Sequence, residues 1–319
     1  MKDKVTSITL NGTSRSETFD AVGKCTFTGL TANTTYNAVV TMDNGLTYPV
    51  SFTTEEAKGV PNGDFENLTQ TASETKMPMG GQFQAGAIDY QNWETYTVSE
   101  PIGWKSINNQ TCININNKNS WFAVPSTNST TVSWNAKWGL VNNQGTPDRY
   151  SGLTAQSGNS AMVVRNVGWD ANGTTPANSG SFFNTTYYCT NVPTVANVSA
   201  GVLSLDTDFA TRPATLNGNY KYERDGQDGT ETAVVTVTVL YGSTEIGKGT
   251  KGLGAAAAFT AFAVPVTYSV TNKKATSLKI MITSSNRAAG SVKVSDHLHE
   301  KEASKYGAIL TVDNLTFSY

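Results

Sequence analysis

Ala308-Ile309-Leu310-Thr311-Val312-Asp313-Asn314-Leu315-Thr316-Phe317-Ser318-Tyr319 reads as one long β-strand, rich in β-branched and aromatic residues and free of Pro and Gly. Successive strand side chains point to opposite faces, so Asp313, Leu315 and Phe317 are expected on one side. With Leu315 and Phe317 turned to a core, Asp313 points inward at its rim, where an unpaired carboxylate is expensive and calls for a cation. The matching partner lies far upstream, at Pro61-Asn62-Gly63-Asp64-Phe65-Glu66. Asn-Gly-Asp is turn chemistry, Phe65 can plug a core, and Asp64 and Glu66 offer oxygens on the opposite side. A first strand carrying Asp64 and Glu66, laid beside a last strand carrying Asp313, would gather the hard oxygens that Ca²⁺ takes, roughly six to eight at about 2.3–2.6 Å. The plainer alternative is a capped turn and a solvated Asp.

Outward from that strand, the chain from Ala200 is dominated by further strands. Gly201–Asp206, Gly218–Glu223, Thr232–Tyr241, Phe259–Tyr268 and Ser277–Ser284 alternate apolar with polar or β-branched residues. Gly-rich segments such as Gly247-Lys248-Gly249-Thr250-Lys251-Gly252 read as the turns between them. From Asn62 to about Ala200 the chain is loop-rich, with strand-like runs at Thr131–Leu140 and Ser160–Arg165. No helix-period stretch of useful length occurs. This pattern predicts an all-β protein whose large domain is a jelly-roll β-sandwich over 62–319.

Residues 1–56 form a separate small unit. Asn37–Met42 turns at Asp43-Asn44-Gly45 into Thr47–Thr53, a strong hairpin signal. Gly29-Leu30-Thr31-Ala32-Asn33-Thr34-Thr35-Tyr36 resembles the end of an immunoglobulin- or fibronectin type III-like domain, with Tyr36 placed as a tyrosine corner. A full domain of that class needs about 100 residues, so this one is abbreviated and reads as a spacer. Residues 57–61 then form a short linker ending in Pro61.

Bulk composition excludes some classes. Charged residues are 15% of the 319, and the net charge of −2 provides no basic field for nucleic acid. No apolar run approaches the roughly 20 residues that span a bilayer. Met1-Lys2-Asp3-Lys4-Val5 has no apolar core behind its charges, so the chain reads as cytosolic or as the mature part of an exported protein. Abundant Thr, Asn, Ser and Gly favour export, to the periplasm or as an outer-membrane or cell-surface lipoprotein. The three cysteines, Cys25, Cys112 and Cys189, form no Cys-x-x-Cys pair and read as free thiols. Nine Asn-x-Ser/Thr sequons, one of them at Asn314 inside the last strand, are what an Asn- and Thr-rich chain produces by chance.

Several phrases taken together resemble the Putative Carbohydrate Metabolism Domain family of exported gut-bacterial proteins. They are Asn62-Gly63-Asp64-Phe65-Glu66, Gly103-Trp104, Arg212-Pro213-Ala214-Thr215-Leu216-Asn217-Gly218-Asn219-Tyr220-Lys221-Tyr222, Ile282-Thr283-Ser284-Ser285 and Gly307-Ala308-Ile309-Leu310-Thr311-Val312-Asp313-Asn314-Leu315. The resemblance covers roughly 61–319 and implies a jelly-roll domain, often behind an immunoglobulin-like one, with a carbohydrate role. The pairing of Asn-Gly-Asp-Phe-Glu with Val-Asp-Asn-Leu also resembles the calcium-stapled jelly rolls of carbohydrate-binding modules. Two departures stand out: Asn314 replaces the second Asp usual in the last strand, and an insert, Val292 to Lys305, precedes it.

Sugar recognition needs flat aromatic faces and planar polar groups. Trp134 and Trp138 lie four apart in a strand-like run and share a face if that strand is regular. Trp93, Trp121 and Trp169 read as loop residues, where binding groups concentrate, and Trp104 as core. Arg212 is a fork of donors suited to a sugar carboxylate, as in a uronic or sialic acid, with Tyr220 and Tyr222 on one strand face nearby. The alternative is an Arg212 paired with Asp206 or Asp208 to tie strands together. A glycoside hydrolase would need paired carboxylates about 5–5.5 or 6.5–9.5 Å apart, and Asp206, Asp208 and Glu223 are the available acids. Asp225-Gly226-Gln227-Asp228-Gly229 lacks the EF-hand pattern and reads as a hairpin turn, while His297 and His299 sit in a charged, solvated insert. The expected function is thus binding of a polysaccharide or glycan, with a hydrolase or a structural, adhesive surface protein as alternatives.

Overall fold

The computed structural model describes residues 4–77, 92–111, 126–131, 135–136, 146–147, 153–169, 197–225, 228–288, 290–295 and 305–319. The chain begins with β1 (Val5–Leu10), β2 (Thr13–Arg15), β3 (Thr35–Met42) and β4 (Thr47–Thr53), an antiparallel sheet in the order β2-β1-β3-β4. Its buried side chains are few: Ile8, Leu10 and Ala38, with Phe52 stacked between Phe27 and Tyr36 at 6.1 and 5.9 Å. Tyr36 Oη accepts the Thr31 N–H at 2.9 Å, the contact a tyrosine corner makes.

The second part continues with β5 (Leu68–Met77), β6 (Asn92–Pro101), β7 (Trp104–Ser106), the single-turn α1 (Asn108–Thr111), β8 (Thr127–Ser129), β9 (Asn135–Ala136), β10 (Thr146–Pro147), β11 (Met162–Trp169) and β12 (Asn197–Ser199). Then come β13 (Val202–Asp208), β14 (Thr215–Glu223), β15 (Ala233–Tyr241), β16 (Thr244–Leu253), β17 (Ala256–Pro265), β18 (Thr267–Tyr268), β19 (Ser277–Thr283), β20 (Val294–Ser295) and β21 (Lys305–Ser318). One sheet runs β12-β11-β21-β14-β17 and the other β18-β16-β15-β19-β13-β7. Of the strands β11, β13, β14, β15, β16, β17, β19 and β21, taken in order, the first sheet holds first-eighth-third-sixth and the second holds second-seventh-fourth-fifth. The chain repeatedly crosses between sheets, which is the double Greek key of a jelly roll.

Between the sheets lies one core. Val164, Leu310, Val312, Leu216, Phe262 and Val264 face Leu203, Leu205, Val235, Val237, Leu278 and Ile280. Each fully buried aliphatic side chain contributes about 1.5–3 kcal/mol, so the alternation read from 200 onward is what closes the sandwich.

Three local expectations change. The Gly-rich stretch 247–252 is not a turn; it is the body of β16, paired along its length with β15. Crossing chain explains its composition, because a Cβ on Gly249 would lie 2.3 Å from the Pro265 carbonyl oxygen. The segment after Asn62 also holds an antiparallel pair of ten-residue strands, β5 and β6, whose sequences lack an apolar face to reveal them. Finally, Asn62–Glu66 is a turn and not a first strand.

The last strand is bulged. Asn217 faces Thr316 and Asn219 faces Asp313, so β21 carries an extra residue there, and Asn314 adopts a left-handed φ of 55°. Ala308, Leu310 and Val312 face the core before the bulge, and Leu315 and Phe317 face it after. Asp313 therefore lies opposite to Leu315, on the outer face with Ile309 and Thr311, although it is fully buried there.

The turn at 62–66 docks on this bulge. Leu315 N–H donates to the Gly63 carbonyl at 2.8 Å, and Phe65, with a φ of 56°, is fully buried edge-on to Trp104 at 5.4 Å. A Cβ on Gly63 would sit 2.3 Å from the Leu315 carbonyl oxygen and 2.9 Å from Val60 Cβ. Gly63→Ala is expected to lose about 1–3 kcal/mol and several degrees of melting temperature by calorimetry. Asn314→Gly keeps the left-handed residue and should leave the melting temperature nearly unchanged.

Candidate functional site

Two carboxylates from the ends of the sandwich domain converge on the loop at 156–160. Asp313 Oδ2 accepts the N–H groups of Gln156 at 2.8 Å and Ser157 at 3.2 Å, and Oδ1 accepts its neighbour Asn314 at 2.7 Å. Glu66 Oε1 accepts Asn159 N–H at 2.7 Å and Ser160 N–H at 3.0 Å. Burial pushes the Asp313 carboxyl above its ordinary range, with the nearby Glu66 charge adding to this, while the three N–H donors pull it down. Glu66, half exposed, is held below its range by the Ser160 and Asn159 N–H groups. The loop's amides thus do for these carboxylates part of what a cation would do.

Asp64 stands aside. It is exposed, and its Oδ1 accepts the Glu66 N–H at 3.4 Å. Among the described residues no three Asp, Glu, His or Cys side chains gather closely enough to hold a metal by themselves. Calcium at Asp64, Glu66 and Asp313 would need backbone oxygens to complete its shell.

A second feature lies where the small sheet meets the sandwich. Residues 57–61 are pinned to the domain and are not a free tether. Val60 is in the core, Trp104 Nε1 donates to Pro61 O at 3.1 Å, and Tyr319 Oη takes Lys58 N–H at 2.9 Å and donates to Lys58 O at 2.8 Å. Glu55 accepts both the Arg212 backbone N–H and Nε at 2.9 Å, and Arg212 Nη1 reaches Thr271 O at 2.7 Å. Arg212 is therefore paired with Glu55, and not with Asp206 or Asp208.

Above this pair opens a cleft of about 710 Å³. Phe52, Tyr268 and Tyr319 line it with aromatic surface, and Asn272, Lys273 and Lys274 add polar groups. Residue-by-residue reading of the sequence found Arg212 but missed these. Thr271-Asn272-Lys273-Lys274 is turn chemistry between two strands, the sort of place where binding groups sit.

The remaining sequence candidates are dispersed. Tyr222 is a core side chain, 2% exposed, whose Oη donates to Ser284 O at 2.9 Å. Tyr220 packs against the same core, edge-on to Phe262 at 6.0 Å. Both rings point inward on β14, so that strand face is closed to a ligand. Asp206 and Asp208 are exposed on β13, with Asp206 paired to Lys279 at 3.0 Å, and Glu223 is exposed on β14 of the other sheet. These acids do not share a cleft. Trp104 is in the core. Trp93 and Trp169 lie within β6 and at the end of β11 instead of in loops. Trp121, Trp134, Trp138, Cys112, Cys189, His297 and His299 lie outside the described residues. No described helix is long and apolar enough to cross a membrane.

No protein-family profile matches the chain, and no curated protein does. Among solved structures, the chain is similar to TmCBM61, solved with β-1,4-galactotriose, at 9% identity and a TM-score of 0.27, over 60% of this chain and 81% of that one. It is also similar to a carbohydrate-binding module of the β-sandwich superfamily, at 8% identity and a TM-score of 0.28, over 100% and 87% of the two chains. A third is the enzymatically active domain of bacteriophage CBA120 tailspike protein 4, at 10% identity and a TM-score of 0.30, over 81% of this chain and 21% of that one. At such scores these likenesses add nothing to the jelly-roll topology read from the strand order.

The clamp makes a prediction about acid stability. A carboxylate with a depressed pKa stabilises the fold above its unfolded pKa and loses that contribution as pH falls through the folded value. Glu66→Gln should therefore lower the melting temperature at pH 7 and flatten its decline under acid. Asp313→Asn, which turns an amide NH₂ toward backbone N–H donors, should lose about 1–3 kcal/mol in denaturant titration at pH 7.

Proposed function

We propose that this chain is an exported, cell-surface glycan-binding protein that grips a polysaccharide in the cleft between its two parts. The observation that carries the reading is the cleft's composition. Aromatic rings of Phe52, Tyr268 and Tyr319 stand with the planar Arg212 and Asn272 in a space of about 710 Å³ at a domain junction. Ligand sites favour such junctions and combine apolar walls with a few placed polar groups. The jelly-roll scaffold and the resemblance of its phrases to a carbohydrate-associated family support the same reading. Tyr36 at its corner supports a fibronectin-like class for the small module.

Arg212, Lys273 and Lys274 outnumber Glu55 around the cleft, which suits uronic or sialic acids over neutral sugars. Tryptophans 93, 134, 138 and 169 remain candidates for additional contacts. Catalysis is the weaker alternative, since Asp206 and Asp208 are solvent-facing and Glu223 belongs to the opposite sheet. Calcium at Asp64, Glu66 and Asp313 belongs to the proposal as a staple of the fold. Its support is that Glu66 and Asp313, from distant segments, converge on the single loop at 156–160.

Native electrophoresis through gels holding neutral or acidic polysaccharides tests the reading, with later staining for polymer loss. Retardation without clearing is expected, stronger on uronate polymers and weakened by salt. Lys273→Glu with Lys274→Glu should abolish it while leaving the fold intact. Clearing of the polymer would replace the proposal with a hydrolase, and no retardation on any polymer would overturn it. Chelation should lower the melting temperature by several degrees, with recovery on adding calcium; no change would remove calcium from the account.

A further inference from the structure

Exposed apolar side chains gather around the cleft at the junction. Among the described residues eight large ones stand open to solvent, and four of them, Tyr48, Val50, Tyr241 and Tyr319, belong to the cleft or to the two surfaces that lead out of it. Scattered single residues of this kind need no explanation, whereas a contiguous set marks a contact surface.

On the small module the set follows β4. Tyr48, Val50 and Phe52 alternate along the strand, opposite Val40, Ala38 and Tyr36 of β3, so their side chains share one face. Phe52 lines the cleft. Tyr48 stands about 13 Å further along β4 by the strand rise. It is 53% exposed, and Val50, between the two rings, is 57% exposed. A complete sandwich of the immunoglobulin class would cover this face with a second sheet. The described strands of the small module form only one.

On the sandwich the set follows the loop at 271–276. Lys273 lines the cleft and carries its Nζ over the Tyr241 ring, 5.1 Å from the centroid, while that ring stays 44% exposed. Thr276 N–H donates to Leu240 O at 2.8 Å, and Gly242 N–H donates to Thr276 Oγ1 at 2.8 Å. The turn bearing Tyr241 and the loop bearing Lys273 are thus braced against each other. Glu55 and Arg212 answer each other at 2.9 Å, which leaves Lys273 and Lys274 without an acidic partner among the described residues of the cleft. Ring faces suit the C–H surface of a sugar, and the two ammonium groups suit its carboxylates.

We propose that the binding surface runs out of the cleft along both walls, over Val50 to Tyr48 on one and over Lys273 to Tyr241 on the other, and takes the interior of a uronate polymer several sugars long. This rests on the glycan reading of the cleft and narrows its ligand. A sialic acid at a chain end would fill the cleft alone and make no use of rings placed beyond it. The small module is thereby half of the binding surface and not a spacer.

Calorimetric titration of the full chain with oligouronates of two, four and eight sugars tests the extension. Wild type is compared with Tyr48→Ala and Tyr241→Ala, exposed positions at which the melting temperature should hardly move. In the wild type the octamer is expected to bind about a hundredfold tighter than the dimer. Each Ala variant should cut that gain about tenfold, and Tyr48→Phe, which keeps the ring face, should restore it. Equal wild-type affinity for dimer and octamer overturns the extension and leaves the cleft reading in place. An unchanged gain in either Ala variant overturns it along that wall, and binding of a sialoside with no gain from longer oligouronates overturns it altogether. Absence of binding at every length removes the cleft reading itself. Self-association in light scattering that Val50→Asp abolishes, with the oligouronate gain untouched, would overturn the extension along β4 by giving that face to a second copy of the chain.

Discussion

The seating of a five-residue turn on a bulge in the final strand is the contact on which the sandwich depends. Gly63 offers its carbonyl to Leu315 N–H at a distance that leaves no room for a side chain on the turn. Phe65, forced to a positive φ that a bulky residue rarely adopts, is held there by full burial against Trp104. On the other side of the contact, Asn314 is one of the few residue types that tolerates the left-handed conformation the bulge demands. Because the bulge inserts one residue at Asn314, it shifts the alternation of β21 after Asp313 and returns Leu315 and Phe317 to the core. Asp313 keeps the outward phase of Ile309 and Thr311, and the loop at 156–160 folds over it with backbone N–H groups. Sequence spacing, strand register and loop conformation are linked through one extra residue.

The same docking fixes the junction between the two parts of the chain. Once Val60 is in the core and Pro61 accepts from Trp104, residues 55–58 have little freedom left. Glu55 then meets Arg212 and Lys58 meets Tyr319. The Glu55–Arg212 pair is half-buried, so its value in isolation is modest. Its geometric effect is larger: with donors on both the backbone and the side chain of Arg212, it holds the guanidinium in one orientation beside the cleft. A binding surface built from fixed groups loses less entropy when it closes on a ligand.

Strand alternation from 200 onward was legible because those strands have one wet face and one dry face, and β13, β15 and β19 show it residue by residue. Three features escaped because their causes are not local. The glycines of β16 answer to β17 and β18 crossing close by, so composition alone points to a turn. The bulge at Asn314 is invisible to a period-two reading, which placed Asp313 with Leu315. Tyr222 looks like a binding aromatic in a polar stretch, yet its hydroxyl is spent on Ser284 O inside the core. The cleft was half visible: Arg212 is chemically conspicuous, whereas its partner Glu55 lies 157 residues away, and no local pattern joins the two.

Asp313 and Glu231 pose the same physical problem and meet it differently. Both are fully buried carboxylates, and burial raises the pKa of each. Around Asp313 the loop's N–H groups meet Oδ2 and the neighbouring Asn314 N–H meets Oδ1, so both oxygens are answered within the chain. Around Glu231 one oxygen is answered by Asn166 and Ser285, while Oε2 has no hydrogen-bond partner among the described residues. Had the chain needed only a polar plug at this end of the sandwich, an amide at position 231 would have satisfied Asn166 and Ser285 without introducing a charge. The two buried carboxylates therefore differ in how completely the chain's own donors meet them: Asp313 has a donor on each oxygen and Glu231 on Oε1 alone among the described residues.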